Sequence, residues 1–154
     1  MADRHEWAFF RSGGVNQVII KSGSDLARLR ELDLKLWMAL SMPVRGTEID
    51  PGTASLIDSD GDGKIRPNEL IEAAEWACAA LADPELLIAG GDGVSLSDIR
   101  DERARAGARR LLALLAAPES RALTLADLSA ADAVLGESPC NGDGIVRPEA
   151  AEDP

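Results

Sequence analysis

Apolar positions recur with a period near two at the start of the chain and near 3.6 over most of the rest, which predicts a small hairpin followed by helices. Trp7-Ala8-Phe9-Phe10, the turn signal Ser12-Gly13-Gly14 and the partly alternating Val15 to Ile20 read as a β-hairpin over residues 6–20. Leu26, Leu29, Leu32, Leu36, Trp37 and Leu40 then fall at helical spacing, predicting an amphipathic helix from a Ser24-Asp25 cap to about Met42, with Pro43 as its stop. That stripe reads as core. Asp50-Pro51 caps a short helix through Ile57, and Pro67 opens a longer one to about Ala82, apolar on most faces and expected to be buried. A connector follows from Asp83-Pro84. Its Gly90-Gly91-Asp92-Gly93 reads as a turn, because neither a dinucleotide fingerprint nor the Lys-Ser/Thr of a phosphate-binding loop follows. Ser97 caps a long helix to about Ala116, with leucines on one face and arginines 100, 103, 105, 109 and 110 on a solvated one. Thr124-Leu125-Ala126-Asp127 opens the last helix, through Leu135, with Gly136 as its stop.

The chemistry concentrates between the second and third of these helices. Asp58-Ser59-Asp60-Gly61-Asp62-Gly63-Lys64-Ile65-Arg66-Pro67-Asn68-Glu69 packs four carboxylates and two glycines into twelve residues. A calcium ion takes six to eight oxygens at about 2.3–2.6 Å, and a tight loop supplies them from alternate positions. Asp58, Asp60 and Asp62 stand at loop positions 1, 3 and 5, Gly63 allows the sharp turn, the Lys64 carbonyl takes position 7, and Glu69 closes the shell at position 12. Arg66 is the odd member: a guanidinium cannot ligate, and its charge works against a bound cation.

These residues satisfy the pattern D-x-[DN]-x-[DN]-G-x5-E throughout, and over this stretch the chain resembles the EF-hand family. The resemblance implies Ca2+ as the bound ion, with Mg2+ as a competitor for a site of this charge. EF-hands resemble one another in coming as pairs, and Asp62-Gly63-Lys64-Ile65-Arg66-Pro67 lines up with Asp143-Gly144-Ile145-Val146-Arg147-Pro148 as an internal repeat. This second loop is degenerate. Asn141 and Asp143 hold positions 3 and 5, but position 1 is Pro139 and position 12 is Ala150. Its candidate ligands are Asn141, Asp143, the Ile145 carbonyl and Glu149, with Glu137 and Glu152 as further carboxylates nearby. Val146 is expected to bridge to Ile65 and pair the two loops. The order of hairpin, Leu/Trp helix and acidic loop is also similar to the N-terminal part of long bacterial EF-hand proteins, a likeness that brings no activity with it.

The expected fold is therefore mainly α: a paired EF-hand with one full and one degenerate loop, additional helices and a small N-terminal hairpin. It is read as one domain over 1–154, divided into the hairpin (1–22), a helix plus the first hand (24–82), a connector (83–96) and helices plus the second hand (97–154). The chain stops about five residues into the exiting helix of the second hand, too short to be stable alone, which reads as the N-terminal part of a longer protein or a hand that closes without a full helix.

Composition narrows the function classes. At 154 residues, 45% apolar and 28% charged, the chain is ordinary globular material. A net charge of −11, from 27 acids against 16 Lys and Arg, argues against nucleic acid and anionic membrane surfaces as partners. The start of the chain has no signal-peptide run, no stretch reaches the length of a membrane span, and Cys78 and Cys140 read as free thiols, so the expected compartment is cytoplasmic. The single histidine, His5, is placed in a tail, and G-x-S-x-G is absent, so no enzyme is expected. Methionine is confined to Met1, Met38 and Met42, which leaves no material for a calmodulin-like groove and favours structural or buffering calcium over switching. A protein partner or further domains fit the module, and a helical interaction adaptor with a vestigial loop is the alternative reading.

Overall fold

The computed structural model describes residues 5–37, 41–119 and 121–137. The chain divides into two compact units, 1–90 and 91–154, with the boundary inside the connector. Mainly helical structure with a small hairpin is what the described residues show: six α-helices and three antiparallel strand pairs.

In the first unit, β1 (Ala8–Ser12) and β2 (Val15–Ile19) form the hairpin in the register Ala8↔Ile19 to Ser12↔Val15. Its turn requires positive φ at two successive residues, and Gly13 and Gly14 supply it at 58° and 84°. The helix expected over 24–42 is broken into pieces. Helix α1 (Gly23–Ala27) is followed by single 3-10 turns at Leu29–Glu31 and Leu34–Leu36, with extended backbone at Leu32 and Trp37. The cap lies earlier than expected, at Ser22, whose hydroxyl accepts from Asp25 N–H while Asp25 Oδ2 accepts from Ser22 N–H. Asp33 then starts a fresh turn by accepting from Lys35 N–H. Leu29 and Leu32 are nevertheless buried, because a leucine every third residue lines one side of a 3-10 turn as well as an α-helix. Residues 38–40 lie outside the described set.

Helix α2 (Pro51–Ile57) begins as expected at the Asp50 cap, which accepts from Thr53 N–H, and α3 (Pro67–Ala80) begins at Pro67. Helix α3 buries Ile71, Cys78 and Ala80 but leaves Leu70 and Trp76 exposed, Trp76 at 67%, so it is a one-faced helix rather than one buried all round. Burial pushes the Cys78 thiol pKa up. An Arg30–Glu75 fork with two contacts of 2.6 Å ties the first 3-10 turn to α3. The connector contains a further short helix, α4 (Leu86–Ala89), where the sequence predicts only a connecting segment. Gly23 marks where α1 meets this segment: a Cβ there would lie 2.5 Å from the Pro84 backbone, and its N–H donates to Glu85 Oε1 at 2.8 Å. His5 is not a loose tail residue. Its Nε2 lies 2.7 Å from Oδ1 of the buried Asp25, and its ring meets Trp7 edge to face.

Between these elements runs a two-residue pair, β3 (Met42–Pro43) against β4 (Lys64–Ile65), with Met42 opposite Ile65. Among the described residues Ile65 thus pairs with Met42; Val146, to which a bridge from Ile65 is expected, lies outside them.

The second unit carries β5 (Gly93–Val94) paired with β6 (Leu123–Thr124), α5 (Glu102–Leu114) and α6 (Leu125–Glu137). Leu96, Ile99, Ala108, Leu112 and Leu123 form its core cluster. Helix α5 starts later than predicted because Asp101, accepting from Ala104 N–H, is the cap, and Ser97 lies in a preceding 3-10 turn at Leu96–Asp98. Thr124 and Asp127 form the expected box at the start of α6, which runs through Gly136 rather than stopping there. The second loop, 139–150, lies outside the described residues, and with it Asn141, Asp143, Ile145 and Glu149. No helix among the described residues is long and apolar enough to cross a membrane.

Candidate metal centre

The acidic loop is held at both ends by helices and on one side by β3, so its carboxylates start from a fixed backbone. Gly61 and Gly63 take the left-handed conformation, at φ 69° and 83°, and fold the loop back on itself. Each acid is then oriented by an amide of the loop. Gly63 N–H donates to Asp58 Oδ2 at 2.9 Å, Asp62 N–H to Asp60 Oδ1 at 3.1 Å and Lys64 N–H to Asp62 Oδ1 at 3.0 Å. Glu69 reaches back from the first turn of α3. Its Oε1 accepts from Ser59 N–H (2.9 Å) and the Ser59 hydroxyl (3.3 Å), and its Oε2 from Arg66 N–H (2.8 Å). The last of these also caps α3, and Arg66, having no acceptor in its side chain, caps nothing in return.

Three of the five predicted ligand residues come together. Asp58, Asp60 and Glu69 each offer a carboxylate oxygen, all within 4.8 Å of one another, and could hold a metal ion. Glu69 is buried at 3% exposure, a setting that demands compensation for its charge. The Arg66 amide, followed by donors at Ser59, outweighs the cost of burial and holds the Glu69 carboxyl below its usual range, so it is anionic at neutral pH. Asp58 Oδ1 is buried and has no hydrogen-bond partner among the described residues. An oxygen in that position is unsatisfied by protein and suited to a cation.

The fourth acid, Asp62, is turned aside. Its Oδ2 lies 2.5 Å from Nη2 of Arg66, and this guanidinium holds the Asp62 carboxyl below its ordinary range. The fifth position, Lys64, is exposed on its side chain and contributes only backbone. Val44 N–H donates to Gly63 O at 3.1 Å, so in the β3–β4 register Pro43 and Lys64 form the non-bonded pair. The Lys64 carbonyl therefore faces away from β3, as position 7 requires. The contacts of Ser59 with Glu69 and of Arg66 with Asp62 are not among the expectations from sequence. A hydroxyl at the second loop position and an Arg four residues after an Asp were the signals for them.

The site is thus an oxygen-only acidic loop, with carboxylates oriented by backbone amides and one buried oxygen left over. Comparison with models of known families, with characterised proteins and with solved structures yields no match for this chain.

Proposed function

We propose that this protein binds calcium through the loop from Asp58 to Glu69, in the manner of an EF-hand, and that the ion stabilises the unit of residues 1–90. The observation that carries this reading is the buried, unpartnered Oδ1 of Asp58 beside the carboxylates of Asp60 and Glu69. The donor set contains neither imidazole nor thiolate, which disfavours zinc, copper and iron and leaves the hard cations. Between those, a loop that gathers carboxylates and a backbone carbonyl from alternate positions suits the larger, more tolerant shell of calcium, whereas magnesium keeps several waters in a strict octahedron. Asp58, Asp60, Asp62, the Lys64 carbonyl and Glu69 would hold the ion. It supplies positive charge where four carboxylates otherwise repel one another, so the role supported best is structural or regulatory.

Calorimetric titration of the metal-stripped protein with Ca2+ in a magnesium background, with circular dichroism alongside, tests this. One site lost in Asp58→Ala is the expected result. No heat and no spectral change would refute calcium binding and leave the adaptor reading.

A further inference from the structure

We infer that Arg66 is a built-in competing cation of the acidic loop, which holds Asp62 and reaches toward Asp60, so that a metal ion completes its shell only by displacing it. This deepens the calcium reading and rests on it. The four loop acids fall into two pairs by the charge of what they touch. Asp58 and Glu69 are oriented by neutral donors: the Gly63 amide on one, and the Ser59 amide and hydroxyl with the Arg66 amide on the other. Neutral donors position a carboxylate without cancelling its charge.

Asp60 and Asp62 are placed differently. Each has one oxygen tied to a backbone N–H, and the oxygen left over faces the same guanidinium: Asp62 Oδ2 at 2.5 Å from Nη2 and Asp60 Oδ2 at 3.6 Å from Nη1. Arg66 stands where a cation between these two acids would stand. That is why the carboxylates gathered within 4.8 Å are Asp58, Asp60 and Glu69 and do not include Asp62. The arrangement also lets the guanidinium leave. Its side chain is 38% exposed, so the head can move into water, while the Arg66 amide stays bonded to Glu69 and keeps the loop in place. A divalent ion attracts Asp62 more strongly than a unit charge does, and a monovalent ion gains nothing by the exchange. Arg66 thus sets the affinity and discriminates by charge.

The test is Ca2+ titration of metal-stripped wild type, Arg66→Gln and Arg66→Lys, each checked for helix content by circular dichroism. Arg66→Gln is expected to bind Ca2+ about tenfold more tightly, the effect of removing a unit charge a few ångströms from a divalent ion in a water-like dielectric. Arg66→Lys keeps the charge but loses the two-nitrogen fork, and its affinity should fall between the two. If wild type binds and neither variant binds more tightly, the inference is overturned while calcium binding stands. If no variant and no wild type binds, the calcium reading fails and takes the inference with it. Should Arg66→Gln not fold, Arg66→Lys decides: tighter binding than wild type supports the inference, and equal or weaker binding overturns it.

Discussion

Asp58→Asn should have opposite effects with and without calcium. In the metal-free protein the substitution replaces a buried, unpartnered oxygen by an amide. The amide oxygen can keep the 2.9 Å bond from Gly63 N–H, and the NH2 group then takes the place of Oδ1, near acceptors on Asp60 and Glu69. Relieving an unsatisfied buried polar group is worth about 1–3 kcal/mol, so the metal-free variant should be the more stable by about 1–2 kcal/mol. With calcium at a hundred times Kd the wild type gains about 2.7 kcal/mol by mass action, whereas a variant binding about a hundredfold more weakly gains about 0.4. The order of stability therefore reverses. For a unit of this size the wild-type gain corresponds to a rise in Tm of roughly 11–22 °C. Thermal melting followed by tryptophan fluorescence, in chelator and in calcium, is the assay, because Trp7, Trp37 and Trp76 all fall in the unit that carries the loop. Loss of stability on Asp58→Asn in chelator would refute the argument from the orphaned oxygen. A full calcium shift in the variant would refute the placement of the ion.

Two predictions concern the second unit. Leu112 is fully buried among Leu96, Ile99, Ala108 and Leu123, and Leu112→Ala should cost about 3 kcal/mol, read by urea unfolding in far-ultraviolet circular dichroism. A loss below about 1 kcal/mol would show that this cluster is not the core it resembles. Asp127 is held down to about 2 by the Arg121 guanidinium, with the Thr124 hydroxyl and amide adding to it. A carboxyl depressed in the folded state contributes stability that is fully present above its ordinary value of 3.8 and is lost as the pH falls through that value toward about 2. Asp127→Asn should flatten this limb of the acid-unfolding curve, and an unchanged curve would remove Asp127 as its source.

What was legible in the sequence was whatever the local backbone demands. Gly13-Gly14 must turn with positive φ, Asp50-Pro51 must open a helix, and Thr124 with Asp127 must cap one, and each of these holds in the structure. The Leu/Trp stripe failed for a physical reason. A spacing of three suits a 3-10 turn as well as an α-helix, and Asp33, by bonding Lys35 N–H, starts a new turn where the stripe implied continuity. The contact of His5 with Asp25 spans twenty residues and leaves no local mark. At the candidate site the three acids that come together, Asp58, Asp60 and Glu69, were legible one by one. The division of labour among them was not, because it depends on which oxygen each amide occupies and on where the Arg66 fork falls.

One pattern separates scaffold from chemistry. Ile65, Val94 and Leu123 each sit in a two-residue strand, and each is followed four residues on by an acid: Glu69, Asp98 and Asp127. At the first and third the acid accepts the amide that opens the following helix, from Arg66 to Glu69 and from Thr124 to Asp127. A strand, a turn and a capping acid therefore recur in both units as a way of starting helices, independent of any ion. The difference lies upstream. The positions that correspond to Asp58, Asp60 and Asp62 are Leu87, Ala89 and Gly91 before Val94, and Ala116, Pro118 and Ser120 before Leu123. None of these six offers a carboxylate. The first loop has three aspartates, one with a buried oxygen unsatisfied by protein, and with Glu69 two of them form an acidic cluster that could hold a cation.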